Sequence, residues 1–158
     1  MKHRGASGFT LMEMLVVVAI ISVLATIGLP LAELAQKRNQ EEALRHALRQ
    51  IRTALDEHKR MMDVGRITKS VGDTGYPPDL ESLVRGVPDA QSPRGEKIYF
   101  LRSLPRDPFA PPQINAAETW ALRSYASPPE APRPGRDVFD VHSKSEELGL
   151  NGVAYSQW

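Results

Sequence analysis

Between Met14 and Ala32 the chain carries nineteen consecutive residues without a charge, MLVVVAIISVLATIGLPLA. A helix rises about 1.5 Å per residue and a hydrocarbon core is about 30 Å thick, so a run of this length spans a membrane. As a buried helix it would be apolar on every face, and a chain of 158 residues has too little other core to cover it. A secretory signal has a shorter apolar stretch, about 7 to 15 residues, followed by a small-x-small cleavage site. This run instead passes without a break into a second helical pattern, so it is expected to stay in the mature chain.

That second pattern places Leu44, Leu48, Ile51, Leu55 and Met62 at helical spacing, with Arg45, Arg49, Arg52, Asp56, Glu57, Lys59 and Arg60 on other faces. The spacing predicts an amphipathic helix over residues 33–64 that continues the apolar half over 9–32 and ends at Gly65. Gly28 and Pro30 predict a kink or local melting, because proline lacks the N–H and clashes with the preceding turn. All the other prolines, twelve of the 13, lie after Gly75, so residues 65–158 read as a turn-rich globular part. Asp79 is a candidate N-cap for a short helix, and Gly86 to Gly95 reads as loop. Strands are expected at Thr119–Tyr125, Val138–Ser143 and Val153–Trp158. The fold class is α+β: one long helix packed on a small three-stranded antiparallel sheet.

Lys and Arg number 20 against 19 Asp and Glu, with no basic stripe for a phosphate backbone, so nucleic acid is not an expected partner. Without cysteine there is no disulfide and no thiolate metal site. His3, His46, His58 and His142 lack metal spacing and read as surface groups. Neither a glycine-rich phosphate loop nor a strand-elbow serine is found, so no residue is a candidate for catalysis.

Glu13 is the one charge between Phe9 and Ala32. A carboxylate in mid-membrane costs about 2.5 to 3.5 kcal/mol unless a cation meets it. Nearby cations are Lys2 and Arg4, or an α-amino group made by cutting the chain before Phe9. The leader MKHRGASG is basic, ends in Gly8 and is too short to fold. Gly8-Phe9-Thr10-Leu11-Met12-Glu13, the apolar run and Pro30 together resemble the leader of type IV pilins and type II secretion pseudopilins. The resemblance implies that a prepilin peptidase removes residues 1–8 after Gly8 and methylates Phe9, leaving 150 residues with 18 basic and 19 acidic groups. It also implies that Glu13 pairs with the amino terminus of a neighbouring subunit. The local alternative is a glutamate near the interface, snorkelling outward. Lys37, Arg38, Arg45, Arg49 and Arg52 would by the positive-inside rule hold the far side in the cytoplasm. The resemblance implies the reverse: leader cytoplasmic, single span in the bacterial inner membrane, carboxyl-terminal part periplasmic.

Tyr76-Pro77, Leu104-Pro105-Arg106-Asp107-Pro108-Phe109, Asp140-Val141-His142-Ser143 and Gly149-Leu150-Asn151-Gly152 before Trp158 resemble the G-type, major pseudopilins more narrowly. The resemblance implies a type IV pilin-like fold and a structural, non-enzymatic subunit. It would polymerise through its helix, with minor pseudopilins, into a short periplasmic filament driving protein export. The partners implied are further copies of the chain, lipid, an inner-membrane assembly platform and, through it, a cytoplasmic ATPase. It also implies calcium in the last loop, for which Ser143, Glu146, Glu147 and Asn151 are the candidate ligands, although Lys144 intrudes and the usual acidic run is missing. The alternatives are a pilin of a surface fibre and a lone membrane-anchored periplasmic binding module.

Overall fold

The computed structural model describes residues 9–158, apart from the side chains of residues 27–29. Helix α1 spans Leu11–Asp63. It is followed by α2 (Ser82–Arg85), β1 (Val87–Pro88), β2 (Lys97–Ile98), β3 (Trp120–Arg123) and β4 (Asp140–Ser143). Short 3₁₀ turns lie at Ala117–Thr119 and Tyr155–Gln157. This is the expected α+β, pilin-like arrangement of one long amino-terminal helix with small antiparallel sheets. The chain divides into two compact units, one ending at Asn39 and the other running from Gln40 to Trp158.

From Leu11 onward the amino-terminal unit is helix, and along it Leu15, Val18, Ile21 and Leu24 are all exposed. Helical backbone continues through Pro30, so the expected local melting does not occur. Proline there removes one ladder hydrogen bond, and the turns on either side keep theirs.

In the second unit the stripe Leu44, Leu48, Ile51 and Leu55 is fully buried and packs with Leu80, Leu83, Leu101, Trp120, Val138, Val141 and Tyr155. Alanines at 47 and 54 on the same face let the neighbouring elements approach closely. A smaller cluster of Met61, Met62 and Ile67 closes against Val87, Ile98 and Phe100. The helix ends in a Schellman motif: Gly65, at φ 75°, donates to Met62 O at 3.0 Å, and Arg66 donates to Met61 O at 2.9 Å. The N-cap of α2 is Glu81 and not the expected Asp79, which lies two residues earlier and whose carboxylate accepts the Ser82 N–H at 2.7 Å.

β3 and β4 pair antiparallel with Trp120 opposite Ser143 and Ala121 opposite His142. The expected third strand over Val153–Trp158 is not formed. Ala154 makes a single bridge with Leu148, and the chain then winds into the 3₁₀ turn. A 3₁₀ turn brings residues three apart onto one side. Tyr155 and Trp158 thereby meet edge to face at 5.0 Å, and Tyr155 stacks on Phe109 at 4.0 Å. The Gly86–Gly95 stretch, read as loop, opens with β1, whose Val87 pairs with Ile98 and Pro88 with Lys97.

His58 is 3% exposed, which corrects its reading as a surface group. It lies 5.2 Å from Phe100, and its Nδ1 is 2.8 Å from the Gly75 carbonyl. A carbonyl only accepts, so Nδ1 carries the proton. Burial pushes the His58 pKa below its ordinary 6.5, with the Gly75 bond opposing. The half-buried His142 is lowered for the same first reason. The unfolded chain therefore binds more protons than the folded one just below pH 6.5. Stability is expected to be intact above about pH 6.5, to fall below it, and to stop falling once the lowered folded-state value is passed. In His58→Gln, whose amide can still donate to Gly75, the drop in thermal midpoint between about pH 7.5 and about pH 5.5 should be visibly smaller. Asp137 acts in a separate, more acidic window, below its ordinary 3.8. Its burial raises the pKa, but bonds from Thr74, Ser124 and the Tyr125 N–H outweigh that and leave it lowered.

Candidate functional site

Of the residues singled out by sequence, Gly8 lies outside the described residues. Phe9 is 75% exposed, and α1 begins two positions later. Thr10 and Glu13 form a reciprocal cap. The Thr10 Oγ1 accepts the Glu13 N–H at 3.2 Å, and the Glu13 carboxylate accepts the Thr10 N–H at 3.4 Å. This is the capping box, and its signature, Thr-x-x-Glu before an apolar run, is legible in the sequence though the sequence reading weighed only the charge. A glutamate here thus has a local task, closing a helix start, beside whatever counterion it meets. Further along, the hydroxyls of Ser22 and Thr26 donate to the carbonyls of Val18 and Val23 at 2.7 Å each. Neither hydroxyl hydrogen is thereby left facing an apolar surround. Pro30 sits within the helix, exposed.

The carboxyl-terminal loop is closed by its own backbone and by α1. Gly149 donates to Val153 O at 2.9 Å, Tyr155 to Glu147 O at 3.0 Å, and Ser156 to Ser145 O at 3.0 Å. A Cβ on Gly149 would come within 2.6 Å of the Trp158 ring and 2.8 Å of Asn151 Oδ1, so the loop has no room for a side chain there. The clamp from α1 is Glu41, 3% exposed. Its Oε1 accepts the Leu150 N–H at 2.6 Å and the Tyr155 hydroxyl at 3.1 Å, while Oε2 lies 3.5 Å from Arg45. Burial, and then the bond to Glu41, push the Tyr155 phenol up to about 12. Arg45 also lies over the Trp158 ring at 4.4 Å. Arg52 ties α1 to the sheet, donating to Asp140 at 2.7 Å, to Val141 O at 3.0 Å and to Trp158 O at 2.8 Å.

Of the four residues expected to ligate calcium, two have their side-chain oxygens engaged by the loop's own N–H groups. Ser143 is fully buried, its Oγ accepting the Ser145 N–H at 3.0 Å, and Asn151 Oδ1 accepts the Val153 N–H at 3.0 Å. Glu146 and Glu147 are exposed. Among the described residues no three acidic or imidazole groups gather closely enough for a metal ion. Calcium takes six to eight oxygens at about 2.3–2.6 Å, and the candidate set Ser143, Glu146, Glu147 and Asn151 does not fit it. The thermal midpoint is therefore expected to be the same in millimolar calcium and in excess chelator, measured by circular dichroism. An ion held at 100 times its Kd would instead add about 2.7 kcal/mol, worth roughly 5–10 °C in a chain of this size.

Comparison with known proteins agrees with the amino-terminal apolar helix. The prokaryotic N-terminal methylation motif matches residues 3–29. The type II secretion system core protein G of Aeromonas hydrophila is 32% identical over 114 residues, covering 71% of this chain and 73% of that protein. The core protein G of Pseudomonas aeruginosa is 29% identical over 116 residues, covering 71% of this chain and 74% of its own length. No solved structure matches. The exposed apolar helix and the methylation motif fit a membrane-anchored subunit. With the α+β fold and this degree of identity along most of both sequences, the chain belongs to the core protein G family, the G-type pseudopilins of type II secretion.

Proposed function

We propose that the chain is a non-enzymatic subunit, cut after Gly8 and methylated at Phe9, that assembles through α1 into a short periplasmic filament driving type II secretion. The observation that carries this reading is a single carboxylate, Glu13, heading a helix whose Leu15, Val18, Ile21 and Leu24 are exposed and whose Ser22 and Thr26 hydroxyls are internally bonded. Such a surface needs lipid before assembly and neighbouring helices after it, and helices pack without a hydrophobic drive when shape and polar pairs match. The Glu13 charge needs a cation, and the new amino terminus at Phe9 of an adjacent copy is one. The soluble part would lie in the periplasm, with the leader presented to a peptidase on the cytoplasmic side. Minor pseudopilins and an inner-membrane platform would be its further partners, with a cytoplasmic ATPase acting only through that platform.

Deleting the gene should abolish export of secreted enzymes from cells that carry no surface fibres of this subunit. Long external fibres lost on deletion, with export intact, would instead make it a pilin. Export that tolerates both Gly8→Ala and Glu13→Ala would make it a lone anchored module.

A further inference from the structure

Two donors of the last loop converge on one oxygen. The Leu150 N–H at 2.6 Å and the Tyr155 hydroxyl at 3.1 Å both point to Glu41 Oε1, which comes from α1, 109 and 114 positions away in the chain. A calcium site has the opposite polarity, six to eight oxygens aimed at a common point. The loop carbonyls that could supply such oxygens are already accepting: Ser145 O from Ser156 at 3.0 Å, Glu147 O from Tyr155 at 3.0 Å and Gly149 O from Gly152 at 2.9 Å. Glu41 is 3% exposed and Tyr155 is fully buried, so the carboxylate lies inside the fold and not on its rim. Its other oxygen is 3.5 Å from Arg45, which covers the Trp158 ring at 4.4 Å. One side chain of α1 thus reaches the loop at Leu150, at Tyr155 and, through Arg45, at Trp158.

We propose that Glu41 is the group around which residues 145–155 close, so that this subunit sets its last loop with a carboxylate of its own helix where the family resemblance implies calcium. A buried carboxylate without donors is costly, and so is a buried N–H or O–H without an acceptor. Each is stable here because the other is present. The loop is therefore ordered when it lies on α1, and its exposed Leu148, Leu150 and Val153 are held in a fixed place beside that helix. This device concerns the loop alone, and it stands or falls separately from assembly into a filament.

Hydrogen exchange of the full-length chain in detergent, read by mass spectrometry over peptides covering residues 145–155, tests it. Wild-type exchange there should be the same in millimolar calcium and in excess chelator. Glu41→Gln keeps the shape and an acceptor oxygen but loses the charge that makes such a bond about twice as strong, so the loop should exchange about threefold to tenfold faster. Glu41→Ala removes the acceptor and should speed exchange at least about tenfold, with calcium restoring neither variant. Peptides from β3 and β4 should change little in the glutamine variant, which separates closure of the loop from a general loss of stability. Slower wild-type exchange in calcium, a Glu41→Gln loop as protected as the wild type, or acceleration spread equally over β3 and β4 would overturn the proposal. The glutamine variant decides the matter even where alanine at this position does not fold.

Discussion

Glu13→Gln is expected to leave the chain inserted and processed but unable to assemble, with secretion reduced at least tenfold. Glutamine is chosen because it separates the cap that the structure shows from the charge pairing proposed for this residue. A capping box accepts Glu or Gln at its fourth position, so the bond to the Thr10 N–H survives the change and the helix still starts where it should. Only the charge is lost. A buried carboxylate–ammonium pair whose one partner is removed leaves the other unpaired in a medium of low dielectric, at a cost of about 3–5 kcal/mol. That is far more than the tenfold threshold of about 1.4 kcal/mol. Secretion assays and filament counts measure the outcome. A glutamine variant that secretes normally would reduce Glu13 to a helix cap, and Thr10→Val would then be the more damaging change.

Trp120→Ala is expected to destabilise the Gln40–Trp158 unit by about 3–5 kcal/mol. The ring is 2% exposed, packed with the α1 stripe, and its Nε1–H donates to the Pro105 carbonyl at 2.9 Å. Alanine leaves a large cavity and strands that carbonyl inside. Total stabilities run about 5–15 kcal/mol, so the variant would lie near the edge of folding, and denaturant melts of the soluble part would show it. Trp158 makes the contrast. Its indole N–H is buried with no acceptor among the described residues. Trp158→Phe therefore removes an unsatisfied donor along with some contact, and is expected to cost much less than Trp120→Ala.

The long helix was legible because its two halves carry strong and different signals: unbroken apolarity to Ala32, then a four-residue stripe at Leu44, Leu48, Ile51 and Leu55 that is buried to the last residue. Its end was legible too, since only glycine adopts φ 75° at Gly65 without strain. The last segment misled because Val153 and Tyr155 alternate as a strand would, while the energy lies in bringing Tyr155 and Trp158 to one side, against Phe109 and Arg45. That preference depends on partners far along the chain. The same holds for His58, which occupies a polar-looking position on α1 yet is roofed by Gly75 and Phe100. The calcium candidates show the same dependence on folded detail: their residue types are legible in the last loop, but that loop N–H groups engage the Ser143 and Asn151 oxygens is not.

The processed terminus is decisive, because the cation proposed to meet Glu13 exists only if the leader is removed. Intact-mass and amino-terminal peptide mass spectrometry of the chain purified from its own membranes measures it directly. The account predicts a 150-residue chain beginning at Phe9 with one added methyl group on its α-nitrogen. A mature chain that still begins at Met1, or one that begins after the apolar run, would contradict it.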